Sequence, residues 1–148
     1  MRFVVIMLAT LFIDLLSKFF VMQKMSEGQS IAVWPNLFHL TYIQNPGAAF
    51  GLLAGQTWFF IGVTGLVLAG MAVGYGWIRQ AGPLYQWAFG LVAGGAVGNL
   101  ADRIRFGKVI DFLDFRIWPV FNLADTAICL GVGLILLDAL REFRRQQS

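Results

Sequence analysis

Trp58-Phe59-Phe60-Ile61-Gly62-Val63-Thr64-Gly65-Leu66-Val67-Leu68-Ala69-Gly70-Met71-Ala72-Val73-Gly74-Tyr75-Gly76-Trp77 runs without one charged side chain. The hydrocarbon core of a bilayer takes about 20 apolar residues as helix, and this stretch has that length and composition. The surroundings are as sparse in charge: none occurs between Glu27 and Arg79, nor between Arg79 and Asp102. Of the 148 residues only 13% are charged and 58% are hydrophobic, at a mean hydropathy of +0.71. A soluble domain carries about twice that share of charge. No water-exposed surface can be built from such stretches, so lipid must cover much of the chain.

Three more segments read the same way, residues 3–21, 84–100 and 120–137. With residues 58–77 they predict an all-α membrane protein of four transmembrane helices, one domain over residues 1–148. The start, Met1-Arg2 before Phe3, resembles the charged and apolar regions of a signal peptide. The apolar stretch resumes beyond Asp14, however, and no small-x-small cleavage site follows, so it is read as a retained first span. The third segment lies between Pro83 and Asp102-Arg103, and its Gly90, Gly94 and Gly98 recur every four residues. That spacing gives one flat helix face for close contact with a neighbouring helix. Loops are expected at residues 22–57 and 101–119. In the first, residues 31–34 and 38–43 favour extended structure about a Pro35-Asn36 turn, predicting a small β-sheet subdomain at the interface. Trp34, Phe38, Tyr42 and Trp58 suit headgroup depth, and His39 reads as an interfacial side chain.

The net charge of +3 and pI near 9.4 arise mainly from Arg103, Arg105, Lys108 and the tail Arg141, Arg144 and Arg145. Beside membrane spans such clusters anchor to headgroups and water, so nucleic acid is not an expected partner. Four spans put both termini on one side. Arg2, Arg79, Arg141, Arg144 and Arg145 on that side balance Lys24, Arg103, Arg105, Lys108 and Arg116 on the other. Charge therefore leaves the orientation open. The lone Cys129 excludes an intramolecular disulfide and a CxxC metal site, and its apolar surroundings read as packing.

Few acids are present, and two stand out. Glu27 and Glu142 belong to polar segments, and Asp138 is expected to meet Arg141. Asp14 precedes Lys18 by one helical turn, the better order for an ion pair, and a pair inside a span should face other helices or an aqueous cavity. Asp102 has Arg103 beside it and is expected to help hold the end of the third span. Asp111 and Asp125 each lie among apolar residues, and the short segment between them can bring both carboxyls to one mouth between antiparallel spans. Two such carboxyls in a partly dry site cannot both ionise easily. One carboxylate and one carboxylic acid are what amide hydrolysis needs, with no metal, cofactor or covalent intermediate. One histidine and no G-x-S-x-G leave serine and cysteine chemistry poorly supplied. Proton or ion conduction and a non-catalytic scaffold remain open on spacing alone, because intramembrane acids serve there too.

Five blocks occur in order: Asp14-Leu15-Leu16-Ser17-Lys18, Asn45-Pro46-Gly47-Ala48-Ala49-Phe50-Gly51, Gly94-Gly95-Ala96-Val97-Gly98-Asn99-Leu100-Ala101-Asp102-Arg103, Val109-Ile110-Asp111-Phe112 and Phe121-Asn122-Leu123-Ala124-Asp125. In them the chain resembles the bacterial lipoprotein signal peptidases (signal peptidase II), over nearly its whole length. The resemblance implies an aspartic endopeptidase that cuts the signal peptide from prolipoproteins before a cysteine already carrying diacylglycerol. It implies Asp111 and Asp125 as catalytic dyad, and Asn45 and Gly47 in the substrate and globomycin pocket. By the same likeness Asn99, Arg103 and Asn122 line or brace the site, and Asp14, Lys18 and Asp102 support it. It further implies no cofactor, a monomer among membrane lipids, cytoplasmic termini, and a site near the outer face of the inner membrane. Two departures stand out. The segment between the aspartates is shorter than in enterobacterial members, and Leu15-Leu16 replaces a polar residue or glycine frequent there.

Overall fold

The first apolar segment becomes helix α1, Arg2–Lys24, in a computed structural model that describes residues 1–47 and 53–147. Its inward stripe is Phe3, Ile6, Asp14, Lys18 and Val21, while Val5, Leu8, Phe12, Phe19 and Phe20 stay exposed. Charge inside and large apolar side chains outside suit a lipid-facing helix rather than a soluble one. Ala48, Ala49, Phe50 and Gly51 of the Asn45 block lie outside the described residues.

The uncharged stretch is not one helix. It forms α2, Thr57–Val73, and a short α3, Tyr75–Gln80, with the break at Gly74. Gly70, Gly74 and Gly76 weaken the helix there, since glycine costs about 1 kcal/mol relative to alanine in a helix. α2 buries none of its residues. The third segment is longer than its apolar part: α4 runs Pro83–Phe106, with Pro83 in its first turn. It closes at Gly107, whose φ of 72° is left-handed and whose N–H reaches the Arg103 carbonyl. The fourth starts later and runs further than expected, as α5, Leu123–Gln146. Pro119 precedes it and Asn122 caps it. Among the described helices, α1 and α5 are long and apolar enough to cross a membrane by length and composition.

The expected glycine face packs on α1. A Cβ at Gly90 would meet Ile6 and the Phe3 carbonyl, one at Gly94 would meet the Met7 carbonyl and Thr10, and one at Gly98 the Asp14 carboxylate. On the other side of α4, Gly95 faces the Ala124 carbonyl, and Gly131 of α5 faces the Ala88 carbonyl. α1, α4 and α5 are thereby locked backbone to backbone, as small residues allow in lipid.

The sheet has three antiparallel strands in the order β1-β2-β3: β1 Ser30–Trp34, β2 Phe38–Asn45 and β3 Val109–Asp114. The hairpin turns at Asn36, with φ 63°. The third strand corrects the expected 101–119 loop, of which residues 101–106 belong to α4 and 109–114 to β3. β3 pairs Asp111 with Ile43 and Val109 with Asn45, and Phe121 returns to bridge Leu113. Tyr42 turns inward rather than outward. It is buried with Val21, Met25, Ile110 and Phe112, the cluster that fastens the sheet to the end of α1.

Candidate active site

β3 and the first turn of α5 place Asp111 and Asp125 on one cavity of about 290 Å³, with Asn45, Gly47, Asn99, Arg103 and Cys129 on its walls. Asn122 ties the two acids together. Its Nδ2 donates to Asp111 Oδ1 at 2.7 Å, its Oδ1 accepts from the Asp125 N–H at 2.8 Å, and its own N–H donates to Asp125 Oδ2 at 3.3 Å. The last two bonds form a reciprocal cap, which satisfies free N–H groups at the start of α5 and places a carboxylate at the positive helix end.

Three asparagine amides aim their nitrogens at the pair. Asn45 donates to Asp111 Oδ2 at 2.9 Å while its oxygen is held by the Gly47 N–H at 3.0 Å. Asn99 donates to Asp125 Oδ1 at 2.7 Å while its oxygen is held by Lys18 Nζ at 3.0 Å. Asn122 is held at its oxygen by the Asp125 N–H. Donors at each amide oxygen thus fix which end faces a carboxyl. Asp111 is 2% exposed, and burial pushes its carboxyl up from 3.8 to about 7, helped by the charge on Asp125 and opposed by Asn45 and Asn122. Asp111 therefore keeps its proton to a far higher pH than a free carboxyl does.

Behind the cavity, Lys18 Nζ lies 2.8 Å from both Asp14 Oδ2 and Asp102 Oδ2. The expected Asp14–Lys18 pair is present and buried. Asp102 does not pair with Arg103. It faces Lys18 and accepts the Ile110 N–H at 3.2 Å, which seats β3 beside α4. Asp14 Oδ1 accepts the Ala124 N–H at 2.9 Å, so α1 also caps α5. Arg103 turns the other way, with its guanidinium 4.7 Å from the Phe60 ring centre and Nη2 3.4 Å from the Gly47 carbonyl. All ten site residues singled out in the sequence thus fall in the cavity or in the polar cluster behind it.

Other residues differ from expectation. Asp138 accepts from the Tyr85 hydroxyl at 2.9 Å rather than meeting Arg141. Cys129 is exposed on the cavity wall, one turn after Asp125, a position its i+4 spacing allowed one to read. Asp114, given no role by the sequence, braces the sheet rim. Burial alone would raise its carboxyl, but the Thr41 hydroxyl and the N–H groups of Arg116 hold it below the usual value. Among the described residues, no group of three or more His, Cys, Asp or Glu side chains could hold a metal ion.

Comparison with known proteins shows the family. A family model described as signal peptidase (SPase) II matches residues 6–141. The lipoprotein signal peptidase of Pelotomaculum thermopropionicum is 54% identical over 138 residues, covering 93% of this chain and 91% of that protein. That of Moorella thermoacetica is 51% identical over 140 residues, covering 95% and 93%. A solved structure described as a bacterial membrane enzyme, obtained by the in meso method at 2.3 Å, superposes with a TM-score of 0.88 at 32% identity, covering 95% of this chain and 88% of that one. With the match running almost end to end, the chain belongs to the signal peptidase II family.

Proposed function

We propose that this chain is an aspartic endopeptidase that removes the signal peptide from prolipoproteins, cutting on the N-terminal side of a cysteine already modified with diacylglycerol. Asp111 and Asp125 are the catalytic pair. The observation that carries this reading is the single residue Asn122, bonded to both carboxyls in a half-enclosed cavity. In the reaction a water between the acids gives a proton to the carboxylate and attacks the scissile carbonyl carbon. The protonated partner hydrogen-bonds the carbonyl oxygen, and the departing amide nitrogen takes a proton as the C–N bond breaks. A carboxyl near 7 suits the acid half, because it holds a proton at working pH and releases it readily.

The same reading makes residues 1–148 one domain of the inner membrane with four spans, α1, α2 with α3, α4 and α5. It puts the termini in the cytoplasm and the sheet at the outer face. The monomer is then the working unit. The acyl chains of the substrate stay in the bilayer and position the scissile bond, so much of the binding energy comes from groups remote from it. Arg103, Gly47 and Asn45 line the approach, and the sheet limits entry of water.

The test mixes purified protein with diacylglyceryl-modified prolipoprotein and follows the loss of the signal peptide by size. Asp111→Asn and Asp125→Asn should each abolish cleavage, globomycin should block it, and unmodified prolipoprotein should be cut far more slowly. Retained cleavage in either variant would remove the dyad, and equal cleavage of both substrates would remove the lipid requirement.

A further inference from the structure

Lys18 does not line the cavity, and its side chain is 1% exposed. A buried ion cluster of one ammonium and two carboxylates is costly to desolvate and is weak evidence of stabilisation in itself. One of the Lys18 contacts is neither charge nor counter-charge: it is the Asn99 amide oxygen, at 3.0 Å. We propose that Lys18 is a positioning residue for catalysis, acting on Asp125 through the Asn99 amide. This rests on the reading that Asp111 and Asp125 are the catalytic pair.

An asparagine amide is nearly symmetric in shape, so its orientation is set by what its two ends meet. Here the Asn99 oxygen accepts from Lys18 and from Asn122 Nδ2 at 3.1 Å, and the nitrogen donates to Asp125 Oδ1 at 2.7 Å. Turning the amide over would set its oxygen against Asp125 and its NH2 against an ammonium and another NH2. All three contacts would become repulsive together. The ammonium is the strong member of the set, because a charged donor makes the shorter and stronger bond. Lys18 is itself held in place from two helices, by Asp14 of α1 and Asp102 of α4. Asp102 also accepts the Ile110 N–H, next to Asp111 on β3. The cation thus keeps a donor trained on Asp125 throughout a cycle in which that carboxyl gains and loses a proton. Asn122 alone, with one neutral N–H, does not hold the Asn99 amide as firmly.

The test is a double-mutant cycle on purified enzyme with a diacylglyceryl lipopeptide, reading kcat and KM separately. Lys18→Met removes the ammonium. Lys18→Met with Asp102→Asn removes one cation and one anion together, and serves where the single variant does not fold. Folding is read from the thermal transition in detergent. Loss of one hydrogen bond to a charged group predicts a fall in kcat of about 10-fold to 100-fold with KM within about 2-fold. In an Asn99→Leu background, the same Lys18 change should alter kcat by less than about 2-fold, because the link is already cut. Effects that multiply, or a folded Lys18 variant with wild-type kcat, overturn the proposal. Cleavage by Asp125→Asn would instead overturn the dyad, whatever the cycle shows.

Discussion

Replacing Asp111 by asparagine should cost the enzyme its activity and change how its stability depends on pH. The folded protein keeps the Asp111 proton up to about 7, whereas an unfolded carboxyl releases it near 3.8. Between those values the folded state binds more protons, so its stability falls as pH rises through that window and is flat above it. The full gap corresponds to about 4 kcal/mol at roughly 1.4 kcal/mol per pH unit. Between about pH 5 and about pH 8, roughly 2–3 kcal/mol of it is expressed. An asparagine at 111 does not ionise and escapes this loss. It also meets two donors, Asn45 and Asn122, with only one oxygen. The resulting donor–donor contact costs about 1–3 kcal/mol at every pH. The absolute difference between the proteins is therefore small, while its slope is not. Thermal or denaturant unfolding in one detergent at a series of pH values measures it. The variant should gain about 2–3 kcal/mol on wild type from about pH 5 to about pH 8, other groups cancelling. A flat difference, or one that shifts in favour of wild type as pH rises, would show that Asp111 is not held as a neutral acid by burial.

Asn122→Ala removes the α5 cap and the Asp111 bond at once; a cap is worth about 0.5–2 kcal/mol and a hydrogen bond to a neutral group about 0.5–1.5 kcal/mol, so unfolding measurements should show a loss of that order together with near-complete loss of cleavage. Gly98→Ala should lower stability by about 1–3 kcal/mol, since its methyl would enter the Asp14 carboxylate, whereas Gly62→Ala on α2, with open space around it, should be neutral or stabilise by about 0.5–1 kcal/mol; equal effects at both would refute the close α1–α4 approach. Maleimide treatment should inhibit cleavage through Cys129 on the cavity wall, and Cys129→Ser should retain activity and resist the reagent, which a mass measurement and a rate measurement check together.

The sequence made the acids legible and their partners obscure. Asp14 and Lys18 could be paired because one helical turn separates them. Asp102 could not, because its cation lies on another helix far away in the chain. Its neighbour Arg103 looked closer in sequence, yet successive helix residues point to different faces. β3 was missed for a similar reason. Val109-Ile110-Asp111-Phe112-Leu113-Asp114 has no apolar–polar alternation, and five of its six residues are buried. Pairing with β2 on one edge, the cover of α1 and α4, and the returning Phe121 decide that conformation, and none of them is local.

The helix that carries Asn99, Asp102 and Arg103 is also the one whose apolar part looked shortest, and the two facts have one cause. A long stretch of high hydropathy reports how much of a helix meets lipid, not whether it crosses the membrane. α4 sits between α1, α2 and α5, so its buried positions are Ala88, Gly90, Ala93, Gly94, Gly95, Ala96, Gly98, Asn99 and Asp102. Small residues there permit the close approach of its neighbours, and polar ones reach partners instead of hydrocarbon. α2 is the converse: uniformly apolar, with no buried residue, and tied to the rest chiefly along α4. In the proposed four-span arrangement the surest-looking span is thus the one least engaged with the chemistry. The span that hydropathy undervalues holds Asp125 by Asn99, steadies Lys18 by Asp102 and keeps Arg103 at the cavity wall.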